Sequence, residues 1–179
     1  LPLLIEKYKT VEELIIDVVD VDINSLETLK LLLNGINVPA NVKINFINDD
    51  FLLHKFECKY DIVIGNPPFK KLKNEKELLK SYKQNIVNKD TNNLFSFFIE
   101  KCLGLGSCVS LIVPKSLINA PEFNKTRDLL NTYKFQKIID YGESGFKGVK
   151  IETISFILQT NKKIKQDMVE IESYITKEV

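Results

Sequence analysis

What the 179-residue sequence lacks narrows its class before any motif is read. It has no run of about 18 apolar residues, so a membrane-spanning helix is not expected. It does not open on a basic start, a short apolar stretch and a small-residue cleavage site, so a cytoplasmic rather than a secreted protein is expected. Cysteine is scarce. Cys58, Cys102 and Cys108 form no CxxC pair, and an odd, scattered set argues against both a disulfide framework and a zinc site. The three thiols are expected to be reduced and mostly buried, and no metal site is expected. The single histidine, His54, has no partner pattern and receives no role. There are only seven glycines, and none precedes Gly35. An excess of either charge is also missing: 25 basic against 24 acidic residues leave a net charge of +1. Any affinity for nucleic acid must therefore come from a local patch. What remains is ordinary soluble composition, 44% apolar and 27% charged, in a chain long enough for one domain with a proper core.

Apolar strands alternate with helical stretches, which predicts a mostly parallel α/β sheet. Residues 3–9 read as the end of a helix. Residues 13–21 are β-branched and apolar, a buried strand. A helix over 26–33 follows, with Asn24 or Ser25 as its cap and Gly35 as its stop. Further strands are expected over 42–47, 60–65, 108–113 and 135–141. Helices are expected over 93–103, ending at a Gly104/Gly106 turn, and over 121–130, with Pro121 in the first turn. Residues 149–159 alternate as a strand able to pair in a hairpin, and residues 169–175 read as a short extra strand. The chain opens at Leu1, without a methionine, inside a helical pattern, so it is expected to be the middle of a larger protein.

The stretch Tyr60-Asp61-Ile62-Val63-Ile64-Gly65-Asn66-Pro67-Pro68-Phe69 stands apart. Proline cannot donate to a sheet ladder and pushes the preceding residue into an extended conformation, so the strand must stop in a stiff corner. That corner presents an amide (Asn66), two carbonyls without competing N–H groups, and an aromatic ring (Phe69). Binding sites of open α/β sheets sit at this end of the strands. The side-chain oxygen of Asn66 and the carbonyl of Pro67 suit the two hydrogens of an amino group. Asn66 is no general base; its contribution is orientation and electrostatic stabilisation. Asp22, Asp50 and the loop Gly145-Phe146-Lys147-Gly148 also fall at predicted strand ends and can share this edge. Strand-terminal aspartates also cap helices, and both functions stay open for Asp22 and Asp50. After the corner, residues 70–90 carry Lys70, Lys71, Lys73, Lys76, Lys80, Lys83 and Lys89. This is either a solvated loop, with a short helix around Leu78, Leu79 and Tyr82, or a loop that contacts nucleic-acid phosphates.

Asn66-Pro67-Pro68-Phe69 after an apolar strand resembles motif IV of the amino-group methyltransferases that use S-adenosylmethionine. The order of the other features is similar to the adenine-N6 DNA methyltransferases of restriction-modification systems, including the type IIG-like enzymes. The resemblance covers most of residues 1–160. It implies a Rossmann-like class I methyltransferase sheet, mostly parallel with an antiparallel strand near the C-terminus. It implies that Asn66, Pro67, Pro68 and Phe69 form the catalytic corner, that Asp22 with Ile23 meets the cofactor's ribose, and that Asp50 with Phe51 holds its adenine. Phe146 would pack on a target base flipped out of double-stranded DNA, and Lys70, Lys71 and Lys73 would meet the DNA backbone. The alternative for Phe146 is a core residue.

One family feature is missing. No glycine-rich loop precedes the first helix, so the chain is expected to begin after that loop and to lack the first strand of the sheet. That strand would lie between the strands at 13–21 and 60–65. Its loss leaves backbone groups unpaired at about 1–3 kcal/mol each. The fragment alone is therefore expected to bind S-adenosylmethionine poorly and to be inactive. Residues 1–161 are assigned to a partial catalytic core, and 162–179 to an extra strand leading toward an absent target-recognition region. The partners implied are double-stranded DNA, a fused or associated endonuclease, and a second copy of the fragment; a membrane is not among them. Two other readings compete: methylation of a protein glutamine or an RNA base, and a non-catalytic module that binds nucleic acid or a subunit.

Overall fold

The computed structural model describes residues 1–143, 150–163 and 168–173, with two compact units, Leu1–His54 and Lys55–Val179. In the first, α1 (Pro2–Lys7) precedes β1 (Leu14–Asp20), α2 (Ile23–Asn34) and β2 (Val42–Asn48). β1 and β2 pair in parallel, from Leu14 opposite Val42 to Asp20 opposite Asn48. Seven residues apart on α2, Leu26 and Leu33 bury the face that a helical period aligns. The helix starts earlier than its sequence suggests. Asp22, not Asn24 or Ser25, is the cap: its backbone is extended, and its Oδ1 accepts the Asn24 N–H at 3.0 Å. Side-chain capping of an early N–H starts the helix at Ile23.

In the second unit the chain runs β3 (Tyr60–Gly65), α3 (Lys76–Tyr82), α4 (Leu94–Leu105), β4 (Gly106–Pro114), α5 (Ser116–Asn119) and, after a 3-10 turn at Pro121–Phe123, α6 (Asn124–Leu130). β5 (Tyr133–Gly142), β6 (Thr153–Lys163) and β7 (Ile171–Ser173) complete it. The strand order is β3-β4-β6-β5-β7. β3 is parallel to β4 and β7 is parallel to β5, while β6 runs antiparallel between β4 and β5. The predicted hairpin partner thus lies inside the sheet.

Alternation places Val109, Leu111 and Val113 of β4 and Ile154, Phe156 and Leu158 of β6 in the core. Phe95, Phe97, Ile99, Cys102 and Leu103 of α4 are buried as well. Gly106 begins β4 rather than ending a turn. A Cβ there would sit 2.7 Å from Val63 Cγ2, so only glycine lets β4 approach β3 this closely. The cysteines differ from expectation: Cys102 is buried, Cys108 half-buried and Cys58 exposed. Burial pushes the Cys102 thiol up to about 12, which makes it a packing residue rather than a nucleophile.

Among the described residues β1 and β2 each have a partner on one edge alone, as do β3 and β7 at the two ends of the second sheet. No residue of β1 or β3 is buried, and Ile15 of β1 and Ile64 of β3 are 52% and 56% exposed.

Candidate active site

Asn66, Pro67, Pro68 and Phe69 follow β3 directly and leave the ladder at Gly65, which is paired with Leu111. Pro67 is buried and Phe69 half-buried, while Asn66 and Pro68 are exposed. The corner is thus anchored through its first proline, with the amide turned to solvent. Among the described residues no hydrogen bond engages the Asn66 side chain. β4 runs on beyond this level, so Lys115 lies further out on the same edge as Asn66. β5 ends there too, because Gly142 and Pro114 both pair with Thr153. Phe146 lies outside the described residues.

In the first unit the two acids share an edge, because β1 and β2 are parallel and end at Asp20 opposite Asn48. The Asn48 amide donates to the carbonyls of Asp20 and Val21 at 3.1 and 3.0 Å and fastens the strand ends together. Asp22 follows β1 and is exposed, as is its neighbour Ile23. Its Oδ1 accepts from the backbone and side chain of Asn24, and its Oδ2 accepts the Ser25 hydroxyl at 2.8 Å. The Ser25 hydroxyl and then the Asn24 N–H hold the Asp22 carboxyl below the usual carboxylate range. Asp50 and Phe51 follow β2 and are half-buried. Asp50 Oδ1 accepts the Leu52 N–H at 2.9 Å, and its carbonyl accepts the His54 N–H at 2.8 Å. His54 has a partner that its sequence did not suggest, with Nδ1 2.8 Å from Asp49 Oδ2.

The lysine-rich stretch is more constrained than a solvated loop. Lys70 pairs with Glu75 at 3.1 Å and Lys71 with Glu122 at 3.2 Å. Lys73 is exposed and forms no ion pair among the described residues. The expected helix is present as α3.

A further charged group went unread in the sequence. Lys115 Nζ lies 2.8 Å from Asp140 Oδ2 and 3.4 Å from Glu152 Oε1, linking the ends of β4 and β5 and the residue before β6. Asp140 Oδ1 also accepts the Gly142 N–H at 2.9 Å, and Gly142 takes a left-handed φ of 54°. Burial raises the affinity of Asp140 for a proton, but the Lys115 and Gly142 hydrogen bonds outweigh it and hold the carboxyl below its usual range. Its stabilising contribution is therefore present above the ordinary carboxylate pKa and is lost as pH falls through the lowered folded value. The Asp140 hydrogen bond raises the Lys115 pKa, so that contribution is lost only as pH rises through the raised value. Lys115→Met leaves Asp140 with its charge unpaired. It is expected to lower the urea midpoint at neutral pH. The deficit shrinks in acid once Asp140 is protonated; a deficit constant with pH contradicts the assignment.

Residues 4–146 match the Eco57I restriction-modification methylase family. The chain is 26% identical over 160 residues to the type II methyltransferase M.BsuBI of Bacillus subtilis, covering 81% of this chain and 32% of that protein. It is 29% identical over 119 residues to the type II methyltransferase M.VspI of a Vibrio species, covering 64% and 29%. The chain thus spans about a third of the length of these curated relatives. A methyltransferase subunit of the type I restriction-modification system of Streptococcus thermophilus superposes with a TM-score of 0.56 at 14% identity, covering 86% of this chain and 41% of that one. With its mostly parallel sheet and one inserted antiparallel strand, the fold is that of the Rossmann-like class I methyltransferases. The chain belongs to the Eco57I restriction-modification methylase family.

Proposed function

We propose that the protein containing this chain methylates the N6 amino group of adenine in double-stranded DNA, with S-adenosylmethionine as methyl donor. The observation that carries the reading is the corner itself: an exposed Asn66 amide, without a hydrogen bond among the described residues, on an anchored proline turn at the carboxyl end of a parallel strand. The adenine amino nitrogen is a poor nucleophile because its lone pair is delocalised into the ring. Asn66 Oδ1 and the Pro67 carbonyl each accept one amino hydrogen, drawing the nitrogen toward a tetrahedral geometry and localising that lone pair. Pro68 removes a competing N–H and stiffens the turn. The Phe69 ring stacks on the base, which must leave the duplex to arrive there. Phe146 belongs to the same reading, as an aromatic that would pack on the flipped base.

The residues present fit the donor. A carboxylate offers about four acceptor positions, and Asp22 uses three within its own turn. One position on Oδ2 remains for a ribose hydroxyl, and rotation of the exposed Ser25 hydroxyl opens a second. Asp22 with Ile23 would hold the ribose, and Asp50 with Phe51 the adenine of S-adenosylmethionine. When bound, the cofactor supplies an electrophilic methyl group on a sulfonium. Lys70, Lys71 and Lys73 would meet DNA phosphate, with Lys70 and Lys71 exchanging their carboxylate partners for it. No helix among the described residues is long and apolar enough to cross a membrane.

The test uses the full-length protein and a methyl-labelled donor, offered duplex DNA, RNA and protein substrates separately. Label recovered as N6-methyladenine from duplex DNA is expected. Label confined to RNA, to glutamine or to cytosine overturns the reading.

A further inference from the structure

Behind the corner lies a buried polar network that the methyl-transfer reading leaves unused. Immediately after Phe69 the chain forms a short antiparallel pairing with the residues that lead into α4. Leu94 N–H donates to the Lys70 carbonyl at 2.9 Å, Leu72 N–H donates to the Asn92 carbonyl at 3.0 Å, and Lys71 and Asn93 face each other as a bridge. Two hydrogen bonds and the buried Leu72 side chain therefore fix where the corner's exit runs.

This small pairing is held from the side by one carboxylate oxygen. Glu122 Oε2, on the 3-10 turn before α6, accepts the Thr91 hydroxyl at 2.8 Å, the Asn93 amide at 3.0 Å and the Lys71 ammonium at 3.2 Å. It thus takes a donor from each partner of the bridge. Thr91 in turn accepts the Asn93 N–H at 3.0 Å. The Glu122 backbone is held too, since its carbonyl accepts the amide of Asn88 at 2.9 Å. Asn88, fully buried, also donates to Thr126 Oγ1 at 2.8 Å, and Thr126 shares a 2.7 Å hydrogen bond with Ser96 of α4. Burial opposes the negative charge on Glu122, but its donors outweigh that cost and keep the carboxyl below its usual range.

A solvated lysine loop has no use for such a network: Asn88, Thr91, Ser96 and Thr126 are all 0% exposed and all hydrogen-bonded. Buried, fully satisfied networks rigidify the segments they join. The segment joined here starts one residue after Phe69, the ring assigned to the target base.

We propose that Glu122 is a positioning residue for methyl transfer: by gripping Lys71 and Asn93 together, it fixes the exit of the Asn66–Phe69 corner and hence the approach of the base. The assignment rests on the methyl-transfer reading of that corner. Positioning matters steeply, because a misplacement of about 1 Å can cost on the order of 10²-fold in rate.

The test compares Glu122→Ala, Glu122→Gln and Asn66→Ala in the full-length protein. Three quantities are read: hydrogen exchange of peptides covering residues 70–72 and 92–94, the kcat and KM for duplex methylation, and DNA affinity. Glu122→Ala is expected to speed exchange in both peptides by about tenfold or more and to lower kcat on the order of 10²-fold, with DNA affinity kept. Glu122→Gln keeps one acceptor oxygen and falls between wild type and Ala; it also serves if the Ala variant does not fold. Unchanged exchange in both peptides overturns the clamp. Faster exchange with unchanged kcat overturns its role in positioning. Methylation that survives Asn66→Ala instead removes the reading on which the role rests, and the exchange data then report the clamp by itself.

Discussion

Asn66→Ala in the full-length protein is expected to lower kcat for adenine methylation about 10²–10³-fold, while DNA affinity and the melting temperature stay close to wild type. The size follows from the role. The amide oxygen acts where charge redistributes during transfer, and removing one preorganised hydrogen-bonding group of that kind costs roughly 3–4 kcal/mol of transition-state stabilisation. The selectivity follows from the position. Asn66 is exposed and makes no hydrogen bond within the described residues, so its truncation deprives no folded partner. Asn66→Asp should retain more activity than Asn66→Ala, because a carboxylate still accepts from the amino group. Methylation at the wild-type rate by the Ala variant would refute the mechanism, whatever the fold.

The largest stability effect is expected from Phe156→Ala. Phe156 lies on β6, between β4 and β5, and is 1% exposed. It packs edge-on against Phe135 of β5, with ring centroids 6.1 Å apart and planes at 79°. Removing a buried Phe side chain costs about 3–5 kcal/mol, the transfer term plus the cavity left behind. The loss should appear as a lower urea midpoint with an unchanged slope. Ile64→Ala provides the contrast. Ile64 is also apolar and in a strand, but it is 56% exposed, and its truncation should cost less than about 1 kcal/mol. Equal losses at the two positions contradict the assignment of the core to β4 and β6.

How far the fold was legible depends on how local its cause is. The strand stop at Asn66-Pro67 was readable because proline's missing N–H acts at its own position. Strand β6 was readable from two-residue alternation, while its antiparallel course was implied by the family resemblance. Glu122 was not readable. Its donors Thr91, Asn93 and Lys71 lie 31, 29 and 51 residues away in sequence, and nothing local marks a glutamate between a proline and a buried phenylalanine. Asp140 was hidden for a related reason. It sits in an apolar run that reads as strand, and its ion pair with Lys115 exists only after β6 has brought β4 and β5 into one sheet. An acid inside such a run is nevertheless a usable signal, since burying it demands a partner. Asp22, Asn24 and Ser25 are all good caps, and only backbone geometry chooses among them.

The position of β6 also sets a timetable for synthesis. Among the described residues β5 pairs only with β6 and β7, both of which lie later in the chain. β3 and β4 can pair as soon as β4 leaves the ribosome. β5 then waits, with every ladder group open, until about 20 more residues have been made. At about 5–20 residues per second, that interval is on the order of one to four seconds. During it the β5 run, with Phe135, Ile138 and Ile139, is the part of the nascent chain that a chaperone would be best placed to cover.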